Sequence, residues 1–200
     1  MNFKEFWRRY RGEIFKLLVT HAALAVFSIM CISPLFVLNT SENSTASSGN
    51  TTNVTAELPA NLKSIIVIVT VLIFIFYYYL IRSQLWMLGA KNKISADGGR
   101  MKLNPLAGLY MGLIASIPSF LLNTLTISMF FSRSYVGFRE IYQTAVLLEF
   151  LWDAPAAGLV LITNGPFLYA TMSVLPALFA GIAYYCGAKN ISLFGVPKGR

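Results

Sequence analysis

Gly89-Ala90-Lys91-Asn92-Lys93-Ile94-Ser95 returns almost unchanged at Gly187-Ala188-Lys189-Asn190-Ile191-Ser192. A second phrase repeats ahead of it, Pro34-Leu35-Phe36-Val37-Leu38-Asn39-Thr40 being echoed by Pro118-Ser119-Phe120-Leu121-Leu122-Asn123-Thr124. Two phrases in the same order predict a chain of two related halves. The spacings differ, with 50 residues from Asn39 to Gly89 and 64 from Asn123 to Gly187. The extra length is expected to fall in the external segments, where insertions are tolerated.

The solvent for these halves is lipid. Hydrophobic residues make up 56% of the chain and charged residues only 12%, more apolar than a water-facing surface tolerates. Crossing ~30 Å of hydrocarbon takes roughly 20 helical residues, and apolar runs of about that length lie at 17–38, 64–81, 106–131 and 167–185. The expected fold is an all-α integral membrane protein with four transmembrane helices arranged as two parallel-repeat hairpins. Between the third and fourth crossings, a helix at about 141–153, stopped before Pro155, is expected to lie in the outer interface or re-enter without crossing. The first half then covers 17–95, with a Ser/Thr/Asn-rich external loop at 39–61 that has too few apolar residues to bury a core. Residues 96–104 read as a cytoplasmic connector and 105–200 as the second half.

Charge placement sets the orientation. The net charge of +8 does not form a groove-sized basic face interleaved with aromatics, so nucleic acid is not an expected partner. Lys4, Arg8, Arg9, Arg11 and Lys16 precede the first apolar run; Arg82, Lys91, Lys93, Arg100 and Lys102 separate the second from the third; Lys189, Lys198 and Arg200 follow the last. The positive-inside rule places all three clusters in the cytoplasm. That leaves 13 basic and 3 acidic residues inside against 3 basic and 5 acidic outside. Both termini are therefore expected to be cytoplasmic in a cell-membrane protein with an even number of crossings.

Residues 1–16 mix these basic groups with Phe3, Phe6, Trp7, Tyr10, Ile14 and Phe15. They predict an interfacial segment attracted to anionic lipid headgroups by on the order of 1 kcal/mol per cation. Pro118 should bend the third crossing and Pro34 the first, since proline supplies no N–H to the helix. Gly108 and Gly112 share a face that invites close helix approach. Cys31 and Cys186 fall toward opposite leaflets, too far apart for a disulfide.

Few groups could carry chemistry. Glu149 and Asp153, four apart, present both carboxylates on one helix face. Two carboxylates can hold a cation, share a proton or act as acid and base, although the nearby Arg133, Arg139 and Glu140 suggest a polar edge of an interfacial helix. His21, the single histidine, is a titratable group within an apolar run. Asn39 and Asn123, with Thr124, offer polar groups near the outer ends of the first and third crossings. No metal-ligand, nucleotide-binding or catalytic motif is present, so neither a cofactor, a metal nor an enzymatic activity is expected. The composition favours an accessory subunit that contacts a membrane protein partner or a second copy of itself. The alternative is a small transporter or channel with a path at the interface of the two halves.

Overall fold

A computed structural model describes residues 2–46, 60–132, 138–163, 168 and 170–191. The described residues are almost all helical: α1 (Phe3–Ala46), α2 (Ala60–Asp97), α3 (Ala107–Ala115), α4 (Ile117–Ser132), α5 (Phe138–Trp152), a short 3-10 turn (Ala154–Ala156), α6 (Ala157–Thr163) and α7 (Ala170–Ala188). Among the described residues, three stretches are long and apolar enough to cross a membrane: Phe3–Pro34, Asn61–Asp97 and Ala170–Ala188. Counting α3 and α4 as one broken span makes four.

Several boundaries differ from those the sequence suggests. The basic and aromatic start is not a separate segment, because α1 begins at Phe3. It continues to Ala46, so the first part of the Ser/Thr/Asn-rich stretch is helical, while 47–59 lie outside the described residues. The second helix passes through Gly89 to Asp97. Pro118 behaves as expected: α3 stops at Ala115, α4 starts at Ile117, and the two meet at 49°. Pro34, by contrast, lies inside an unbroken α1. The stop before Pro155 falls where the sequence places it, since α5 ends at Trp152.

The chain forms two compact units, one built from Met1–His21, Phe76–Leu121 and Ala170–Arg200, the other from Ala22–Ile75 and Leu122–Tyr169. In the first unit α1 and α2 are antiparallel, since Tyr10 meets Asn92 while His21 meets Tyr77. Phe6, Tyr10, Ile14 and Leu17, at helical spacing, face into this unit, so one edge of the aromatic N-terminus packs on protein. Phe3, Trp7 and Phe15 are exposed.

The same unit pairs α3 with α7, also antiparallel. A Cβ on Gly108 would strike Tyr184 and the Ala180 carbonyl, and one on Gly112 would come within 2.6 Å of Ala177 Cα. Glycine here lets two backbones touch, as the shared face of Gly108 and Gly112 predicts. α2 and α7 run parallel, because Tyr77 and Tyr78 stack edge-on against Phe179 while Gly89 lies against Gly187 further along both helices. That last contact is reciprocal: a Cβ on Gly89 would strike the Tyr184 carbonyl, and one on Gly187 the Trp86 carbonyl.

In the second unit α4 and α5 are antiparallel, with Phe130 packed on Tyr142 at a centroid separation of 6.0 Å. Gly158 at the start of α6 lies so close to Thr70 and Ile66 of α2 that any side chain there would collide. Large apolar residues on the outer faces, among them Met30, Ile68, Leu72, Ile75 and Leu125, are exposed, the arrangement expected of helices in hydrocarbon.

Candidate functional site: a buried carboxylate pair

On α5, Ala145 and Glu149 are buried one turn apart, and Asp153 follows at the next turn, just past the helix end. Residues four apart stack on one face, and this face points into the protein. Glu149 and Asp153 are each 0% exposed. This overturns the reading of the pair as a polar edge: the stripe is the inner face of α5, and Arg139 and Glu140 sit on the exposed side.

α4 supplies the opposing polar groups. Asn123 and Thr126, three apart on one face, are 4% and 1% exposed. The Thr126 hydroxyl is near enough to Glu149 to favour its charged form, yet it lacks hydrogen-bond geometry, and both Glu149 carboxyl oxygens, Thr126 Oγ1 and Asn123 Nδ2 have no hydrogen-bond partner among the described residues. Since α4 and α5 are antiparallel, Asn123, one turn before Thr126, stands level with Asp153, one turn after Glu149.

Burial pushes the Glu149 carboxyl up to about 7; Thr126 pulls it back somewhat and the neighbouring Asp153 charge adds to the rise. Desolvation disfavours the charged form, so near neutral pH Glu149 divides between acid and carboxylate. The arrangement can take up or release a proton. It contains no nucleophile paired with a base, and among the described residues no three His, Cys, Asp or Glu side chains converge as metal ligands.

His21 belongs to the first unit. Its Nδ1 is 2.9 Å from the Tyr77 hydroxyl. Beside it lies a cavity of about 10 Å³ lined by His21, Tyr77, Gly112, Ser116, Ser119 and Pro176 among others, room for roughly one water molecule. Ser116 Oγ, buried at this cavity, has no hydrogen-bond partner among the described residues. Asn39 falls within the helical span of α1, but its side chain lies outside what is described. The structure therefore brings Glu149 and Asp153 together, with Thr126 across from Glu149 and Asn123 buried on the same face of α4 as Thr126, and places His21 in the other unit.

Sequence reasoning missed Thr126 and Asn92. Thr126 could have been found from its spacing of three after Asn123. Asn92 stands inside the repeated phrase, and its amide donates to Tyr10 Oη at 3.2 Å and to Tyr184 Oη at 2.9 Å. No protein-family model, curated protein or solved structure matches the chain.

Proposed function

We propose that this is a multi-pass membrane protein acting as a non-enzymatic accessory subunit of a membrane assembly. The observation that carries the reading is the closeness of α2, α3 and α7. Glycine backbones meet their neighbours directly, and the cavity beside His21 holds about one water. A solute path between the halves would need a hydrated lumen there; dry, glycine-mediated contact suits a scaffold that presents its outer faces to lipid and to a partner.

The architecture that goes with it is four crossings as two parallel hairpins, with α5 as a non-spanning outer helix. Support comes from the reciprocal contact of Gly89 and Gly187. Counted from the repeated phrase, Tyr184 and Trp86 are equivalent positions, so each glycine faces the carbonyl of the other copy's matching residue, as a two-fold relationship requires. An axis along the membrane normal relates parallel repeats, consistent with α2 and α7 running the same way. The bridge from Tyr10 through Asn92 to Tyr184 sets Arg9 and Arg11, Lys91 and Lys93, and Lys189 at one level, which favours a cytoplasmic location for both termini and contact with anionic headgroups.

A second reading, a small transporter, is favoured by the buried carboxylates alone, because ionisable groups held away from water often mark ion pathways. Purification in mild detergent separates the two. The subunit reading expects a membrane protein to copurify in fixed stoichiometry, or the chain to self-associate. A monodisperse monomer that supports ion flux in sealed vesicles would overturn it in favour of transport.

A further inference from the structure

Glu149 sits in the last turn of α5, where unpaired carbonyls already make the potential negative. Pro155 supplies no N–H to the end of that helix. Asp153 adds a second carboxyl one turn on, and both side chains are wholly buried. Across from Glu149, α4 presents Thr126 and, on the same buried face, Asn123, each with a polar atom that has no hydrogen-bond partner among the described residues.

Among the described residues, few other charges belong to the elements of this unit. On α5, Arg139 and Glu140 lie more than two turns from Glu149 on the exposed side, and Tyr142 packs on Phe130. α4 and α6 carry no titratable group. The unit's portion of α2 contributes only Lys63, and its portion of α1 as far as Pro34, where side chains are described, only Cys31. Among the described residues, Asp153 is the charged group that acts on Glu149. An ionised Glu149, wholly buried and with neither carboxyl oxygen hydrogen-bonded among the described residues, would cost many kcal/mol, and a hard divalent cation would ask for about six or more oxygens.

We propose that Glu149 and Asp153, with Thr126 and Asn123, form a proton-binding site, Glu149 being the group that holds an exchangeable proton. The charge of this interior then changes by one unit as the surrounding pH crosses neutrality. This goes beyond a scaffold role, since a partner bound to the protein would sense that charge through the helices it contacts.

Infrared difference spectroscopy of the full chain in lipid nanodiscs tests the site without requiring a reagent to reach it. The C=O stretch of a protonated carboxyl, absent in Glu149→Gln, should be present at pH 6 and fall about ten-fold in intensity by pH 8. Asp153→Asn should keep the band and move its loss to lower pH, which provides a test if Glu149→Gln does not fold. Identical spectra for wild type and Glu149→Gln at pH 6, a band that does not change between pH 6 and pH 8, or loss of the band at pH 6 on adding sodium or calcium chloride would each overturn the proposal. The last result would replace the proton by a metal cation.

Discussion

Gly89 and Gly187 touch backbone to backbone, each where the other helix leaves no space for a methyl group. The two helices run in the same direction here, α2 going on to Asp97 while α7 ends at Ala188, so neither can tilt away without disturbing the bridge from Asn92 to Tyr184 within one turn of the contact.

Alanine at either glycine should therefore destabilise the protein by at least the ~1–3 kcal/mol typical of overpacking. The double substitution should cost less than the two single costs added, because the first has already opened the shared contact. Gly12→Ala is the control, since nothing lies within 4 Å of that position, and it should gain up to about 1 kcal/mol of helix propensity. Thermal unfolding in detergent compares all four.

Asn92 joins three helices through one side chain. Tyr10→Phe and Tyr184→Phe should each cost about 0.5–1.5 kcal/mol, the net worth of a hydrogen bond. Asn92→Leu should cost more than either, because it leaves two buried hydroxyls without their shared donor. A double-mutant cycle between Tyr10 and Tyr184 should show coupling through Asn92; strictly additive losses would mean the bridge is not formed.

How stability depends on pH follows from Glu149. Its folded value of about 7 lies above the ordinary 4.5, so the folded state binds the extra proton. The resulting stabilisation is complete below about pH 4.5 and is lost as pH rises through about 7, a change on the order of a few kcal/mol. Wild-type protein should thus lose thermal stability across that window relative to Glu149→Gln. Parallel curves for the two proteins would show that Glu149 is not the titrating group.

α7 ends in a left-handed cap. Asn190 has φ 54°, its N–H donates to the Gly187 carbonyl, and the Ile191 N–H reaches the Cys186 carbonyl at 2.8 Å, the pairing that closes a helix with one left-handed residue. Gly99 plays the same part for α2, with φ 69° and the Arg100 N–H on the Ser95 carbonyl. Asn190→Gly should be neutral or slightly stabilising, and Asn190→Ala should cost about 1 kcal/mol, measured by unfolding or by amide exchange at Ile191.

The sequence disclosed what depends on local chemistry. Pro118 broke its helix, Pro155 marked the end of α5, and Gly108 and Gly112 marked a close crossing, because each acts through its own backbone. It did not disclose which apolar faces meet protein and which meet lipid, since both environments accept the same side chains. Phe6 and Tyr10 looked suited to headgroups for that reason, yet they pack inward. Glu149 and Asp153 misled for the opposite reason: a carboxylate is expected at a wet edge, and only the packing of Ala145 beneath them and Thr126 across from them reveals the dry side of α5. The repeated phrase pointed to Gly89 and Asn92 without saying what either does. Its second copy stops as a helix at Ala188, so Asn190 terminates a helix where Asn92 bridges three.

The discontinuous make-up of the two units bears on how the molecule is made. One of them has Leu168 as its last described residue, whereas the other draws on α7 and on the first twenty-one residues together. During synthesis the former has all of its helices once α6 has left the ribosome. The latter must hold Tyr10 and Asn92 without Tyr184 until α7 has been inserted, so shortening the chain before α7 would spare the carboxylate pair and abolish the bridge.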